Sequence, residues 1–85
     1  MRMEPGMIVK SDAGHDQERF YVIVAVEEGW AFIADGKRRK VERPKRKNPR
    51  HLKPTSLRVD LSEADTNQKL RRILHGLNEP NSSAV

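Results

Sequence analysis

The segment FYVIVAVEEGWAFIA, residues 20–34, decides the fold class. Phe20 to Val26 is a run of seven apolar residues, mostly β-branched or aromatic, which is strand composition at strand length. Glu27-Glu28-Gly29 supplies a tight turn and Trp30 to Ala34 returns as a second strand, so the segment reads as a β-hairpin. Upstream, Glu4-Pro5-Gly6 is a turn, Met7 to Lys10 a short strand and Ser11 to Asp16 a loop. Downstream, Asp35-Gly36 is a further turn, after which Arg38 to Arg43 alternates around Val41 as a third, very basic strand that Pro44 stops. Lys45 to Pro54 has no periodicity, and its prolines and charges predict an extended loop. Leu57 to Leu61 alternates apolar with charged residues, as an edge strand does.

The chain then changes period. Ser62, followed three residues later by Asp65, resembles a capping box, and Leu70, Ile73, Leu74 and Leu77 follow at helical spacing, predicting a helix that ends near Gly76. Residues 78–85 are small and polar and predict a disordered tail. The mainly β class follows: about five short strands in a closed or half-closed barrel, residues 1–61 with a basic loop at 44–54, and a helix within 62–77 that plugs one end. Phe20, Val22, Val24 and Val26 share one face of their strand and are expected in the core, with Ile8, Phe32 or Ile33, Val41, Leu57 and Val59 completing it.

Composition narrows the function. Eighty-five residues, 35% apolar and 34% charged, make one small domain with a thin core and no deep two-lobed active site. The absence of cysteine removes disulfides and thiolate zinc sites. No stretch has the length of a signal peptide's apolar region or of a membrane span, so a cytoplasmic protein is expected. The charge is unevenly placed. Residues 37–54, KRRKVERPKRKNPRHLKP, hold ten of the seventeen cations and one acid, a formal +9, while the remainder carries −4. A block of one sign, broken by Pro44, Pro49 and Pro54 and offering no hydrophobic face to a membrane, marks a segment that meets a polyanion, of which nucleic acid has the matching charge density.

A family likeness is carried by Gly6-Met7-Ile8-Val9-Lys10-Ser11, then Ala13-Gly14-His15-Asp16, then Arg19 with Tyr21-Val22-Ile23-Val24. This pattern resembles a KOW motif, the RNA-binding barrel signature of ribosomal proteins and NusG-type elongation factors. With Ala34-Asp35-Gly36 and Pro44-Lys45-Arg46-Lys47-Asn48 counted, it is similar to a small bacterial group of KOW proteins related to an archaeal and eukaryotic large-subunit ribosomal protein family. The likeness covers roughly residues 6–61. Gln17-Glu18 departs from it, since many such motifs carry glycine and lysine there. It implies an SH3-like barrel, RNA as partner, ribosomal RNA first, and a phosphate grip that includes Lys10, Ser11, Gly14 and Arg19 around the first loop.

From the residues themselves, Lys45, Arg46, Lys47, Arg50 and Lys53 are candidate backbone contacts, and Arg38, Arg39 and Arg43 can also stack on bases or hold a phosphate with two hydrogen bonds. Lys37, Lys40 and His51 complete the basic candidate set. On this reading the charges at 38–43 are held on a strand and those at 45–53 are adaptable. Tyr21 and Trp30 are expected to be buried rather than to stack on bases. His15, His51 and His75 form no metal spacing, and no serine has a nucleophile motif around it, so no enzyme, cofactor, metal or small-molecule substrate is expected. The helix, residues 63–75, is expected to pack on the barrel, the other reading being that it docks on a ribosomal or other translation protein. Two rival functions stay open: a protein-interaction module of translation or transcription, and a sequence-independent duplex DNA binder.

Overall fold

The computed structural model describes residues 2–12 and 19–78. Its strands are β1 (Met7–Ser11), β2 (Phe20–Glu27), β3 (Trp30–Ala34), β4 (Lys45–Lys47) and β5 (Leu52–Arg58), with helix α1 (Asn67–Asn78) last. They form one antiparallel sheet in the order β4-β3-β2-β1-β5. The hairpin stands where residues 20–34 place it. Glu27 pairs with Trp30 across a two-residue turn, and both turn residues have positive φ, 49° at Glu28 and 82° at Gly29, the signature of a type I′ turn.

The chain itself shows that the sheet is rolled. β4 and β5 are its two edges, and a flat sheet would hold them four strand spacings apart, about 19 Å. Only residues 48–51 join Lys47 to Leu52, a reach of at most about 18 Å fully extended, and Pro49–His51 is a 3₁₀ turn that rises only about 2 Å per residue. The edges must therefore curl toward one another. No ladder joins them, so the architecture is that of a small SH3-like barrel left open along one seam.

Both faces of β2 are buried, which corrects the expectation of a single core face. Tyr21 and Ile23 enter the inner core with Met7, Val9, Ala31, Ile33 and Leu52, while Val22 enters an outer core with Ile8, Ala34, Ala64, Leu70 and Leu74. An unbroken apolar run is what a strand covered on both sides requires. Val22 and Val26 also part company, because the register slips between Ile23 and Ala25 and returns Val26 to the inner face. Helix α1 supplies the outer cover. It lies on the sheet's outer face rather than plugging an end, and Leu70 and Leu74 are buried there. Intramolecular packing of the helix is therefore the arrangement found.

Several boundaries differ from the sequence reading. Residues 38–43 are turns, not a strand, and β4 starts only after Pro44. The expected loop 44–54 instead contains β4, the 3₁₀ turn and the start of β5, with Pro54 on an edge strand where its missing N–H is harmless. β5 ends at Arg58, and Leu57 is 46% exposed rather than core. A bulge explains it. The register of β1 against β5 shifts between Met7 and Val9, and Thr55 Oγ1 donates to Ile8 O while accepting from Leu57 N–H, which turns Leu57 outward. Asp60, not Ser62, caps a local turn by accepting from Ser62 N–H, and Thr66 caps α1 by accepting from Lys69 N–H. Asn78 belongs to the helix and not to a tail, and residues 79–85 lie outside the described residues. Among the described residues, no helix is long and apolar enough to cross a membrane.

Candidate nucleic-acid interface

Antiparallel pairing brings the two candidate segments to one end of the sheet. Lys10 pairs with both Phe20 and Lys53, Ser11 with Leu52, Val22 with Ala34, and Ile33 with Lys45. The end of β1, the start of β2, the end of β3 and the starts of β4 and β5 are thus neighbours. Lys10, Arg19, the basic turn 37–43, Lys45 and Lys53 share that rim. Two contacts lace its loops together: Asp12 N–H donates to His51 O at 3.0 Å, and the Arg19 guanidinium approaches Asp35 Oδ2 at 3.5 Å. The hairpin turn with Glu27 and Glu28 lies at the opposite end, so the sheet separates its charges along the strands.

Asp35 builds the basic turn. It is buried, and its Oδ1 accepts the backbone N–H of Lys37, Arg38 and Arg39, each at 2.9 Å. Three N–H groups folded onto one carboxylate wind residues 36–39 tightly and leave the side chains of Lys37 and Arg38 pointing to solvent. The turn is also clamped to the helix. Asn67 accepts from Val41 N–H at 2.7 Å and donates to Glu42, and Arg71 Nη1 donates to Gly36 O at 3.0 Å. Glycine is required at position 36: its φ is +80°, and a Cβ there would meet Asn67 O at 2.2 Å. The charges at 38–43 are thus held by a turn pinned by side chains rather than by a strand, and residues 45–53, expected as an adaptable loop, are mostly strand and 3₁₀ turn.

The candidates separate by exposure. Lys37, Arg38, Lys40, Arg43, Arg46, Arg50, His51 and Lys53 are exposed. Arg39, Lys45, Lys10 and Arg19 are half-buried. Lys45 and Lys47 pair with Ile33 and Ala31, whose side chains face the inner core, and Lys47 is only 9% exposed. Ser11 is buried outright and is not a surface contact. Gly14, with the rest of 13–18, lies outside the described residues. Lys10 Nζ lies 5.7 Å from the centre of the Phe20 ring, and Arg19 is committed mainly to Asp35.

Some surface and framing residues depart from the sequence reading, and Trp30, at the hairpin-turn end, stands outside the rim. Tyr21 is buried as expected, but Trp30 is 37% exposed with the Arg46 guanidinium stacked 4.5 Å from its ring centre, an aromatic-cation pair on the β3–β4 surface. Its signal was available, since Trp30 opens a strand directly after a turn, where the inward neighbour is Ala31. Asn67 and Arg71 came without a sequence signal, because their roles depend on where the turn lands on the helix. Among the described residues, no group of three or more His, Asp and Glu side chains is placed to hold a metal ion. Compared with protein-family models the chain matches none, and no curated protein matches it.

Proposed function

We propose that this chain is an RNA-binding accessory protein of KOW type, associated with the ribosome in the cytoplasm, that grips the phosphate backbone through the rim and works by binding rather than catalysis. The observation that carries the reading is the turn at 36–43. A buried carboxylate, an asparagine and an arginine from the helix spend their hydrogen bonds on shaping a turn whose outward side chains are Lys37, Arg38, Lys40 and Arg43. A surface needing charge only for solubility mixes signs and requires no such scaffold. Arg46, Arg50 and Lys53 extend the cationic surface past the turn, and the arginines can engage a phosphate with two hydrogen bonds.

RNA is favoured over duplex DNA because the cations lie on turns and strand ends. Helix α1 offers few cations to a major groove, only Lys69, Arg71 and Arg72, of which Lys69 is bonded to Asp65 and Arg71 to Gly36 O. Its packing on the sheet disfavours α1 as a partner-docking helix, since Leu70 and Leu74 are already covered. The test compares the intact protein with a variant carrying Lys37→Gln, Arg38→Gln, Lys40→Gln and Arg43→Gln, against a structured RNA, duplex DNA and purified ribosomes at two salt concentrations. Tighter binding to RNA and ribosomes than to DNA, lost by at least tenfold in the variant, is expected. Unchanged RNA affinity in a folded variant sinks the proposed site. Equal, weak binding to every polyanion sinks the RNA assignment.

A further inference from the structure

A pocket of about 330 Å³ opens between helix α1 and the Asp35 turn. Arg19, Lys37, Arg71 and His75 line it, with Leu74 and Asn78 as the remaining helix side and Asp35 completing the lining. Three permanent cations therefore face one carboxylate. That carboxylate is spoken for: Oδ1 holds three backbone N–H groups and Oδ2 is the acceptor facing Arg19. Such a pocket cannot recruit a cation and draws an anion. Arg19 adds a second mark. Its Nε is buried and has no hydrogen-bond partner among the described residues, a costly state for a charged donor.

Size and setting narrow the anion. The volume is at the low end for ligand pockets, enough for a single compact group and not for a helical segment. Leu74 is only the covered floor of the pocket, but the exposed His75 ring gives it a flat face on which a base can stack, a feature that inorganic phosphate does not use. Lys37 belongs both to the pocket and to the exposed turn, so a strand following the turn passes the pocket's mouth. We propose that this pocket receives one unpaired nucleotide, its phosphate held by Lys37 and Arg71 with Arg19 behind, and its base laid against the His75 ring. The inference rests on the RNA-binding reading for its source, an extruded nucleotide of a bound RNA. A free nucleoside monophosphate presents the same chemistry.

The experiment uses the full chain and three probes: adenosine monophosphate, an RNA hairpin whose fully paired stem is closed by a structured tetraloop, and the same hairpin with one adenosine bulged from the stem. The bulged hairpin is expected to bind on the order of tenfold tighter than the paired one, the scale of one accommodated base. Adenosine monophosphate is expected to shift the Leu74 methyl and His75 ring resonances. Lys37→Gln, whose exposed side chain can be changed without touching the turn's backbone bonds, and separately Arg71→Gln, which keeps a donor for Gly36 O, should each bring the bulged-to-paired ratio toward one while the amide spectrum stays folded. Equal affinity for the two hairpins together with silence toward adenosine monophosphate overturns the pocket and leaves the RNA reading standing. Shifts from adenosine monophosphate with no binding of either hairpin support the pocket with a free nucleotide as its ligand and overturn the RNA reading. A preserved ratio in both variants removes Lys37 and Arg71 from the site and overturns the proposal.

Discussion

Asp35 does the work of several residues: its carboxylate is an acceptor for three turn N–H groups and the counter-charge of Arg19, and its own N–H donates to Arg39 O. Asp35→Ala removes all side-chain acceptance and is expected to destabilise the fold by about 2–3 kcal/mol, the scale for losing charge-assisted bonds to partly buried donors. Asp35→Asn keeps one oxygen for the N–H groups and should cost clearly less, so urea denaturation of the two variants separates turn geometry from charge. Equal losses would mean that the Arg19 ion pair, not the turn, is what matters. Glu4 offers a second residue-level test. Its hydrogen bond to Arg58 at 2.5 Å, reinforced by the attraction of the same guanidinium, holds its carboxyl below the ordinary glutamate value despite a small opposing effect of burial. A depressed folded-state value means the contribution is fully present above the unfolded value, about 4.3, and is lost as pH falls through the folded one. The melting temperature of Glu4→Gln should therefore trail the parent slightly at pH 7, with the gap closing as pH falls below the ordinary glutamate range. The pair is exposed, so the gap should be small.

At the scale of elements, the helix is the outer wall of a two-sided sheet and also the frame of the turn. Leu74→Ala leaves a hole against Ile8, Val22 and Ala34 and should cost about 2–5 kcal/mol. Because Asn67 and Arg71 ride on the same helix, the turn's amides should lose exchange protection in step with the helix, and protection retained in the turn alone would show that it folds independently. Asn78 closes the far end of this wall, accepting from Phe20 N–H at 2.6 Å and donating to Phe20 O at 3.0 Å. Not all of this was legible beforehand. The hairpin, the helix stripe and the basic block were readable because each is a local pattern of period, turn chemistry or charge. The single-face expectation for β2 fails because Tyr21 and Ile23 are as apolar as Val22, so alternation carries no information in such a run. Residues 38–43 mimicked a strand because Val41 packs partly on the outer core from a turn. β4 was hidden inside three charged residues, Lys45–Lys47, whose pairing is dictated by β3 rather than by their own propensity. Asn67 and Asn78 are tertiary clamps, and their partners are 26 and 58 residues away in sequence.

For the whole molecule, the rolled sheet converts a basic block into a basic end. Seven of the ten cations in residues 37–54 are exposed, since Lys47 is buried and Arg39 and Lys45 are half-buried, while Glu27 and Glu28 occupy the far end of the hairpin. If about five of the seven meet phosphates, log K for RNA should fall against log salt with a slope of about −3.5 for a single strand and −4.5 for a duplex. Each turn cation replaced by glutamine should flatten that slope by about 0.7–0.9, and the affinity lost should be greatest at low salt, where counterion release favours binding most. The far end supplies the control. Glu27→Gln with Glu28→Gln changes net charge by +2, half the change made in the opposite sense by the four-residue turn variant, but at a distance beyond effective screening length in physiological salt. The slope should then stay where it is and affinity should rise only slightly, with the rise fading as salt increases. A rise per unit charge equal to the loss per unit charge in the turn variant would mean that RNA responds to net charge alone, and the oriented rim would have to be abandoned in favour of undirected attraction.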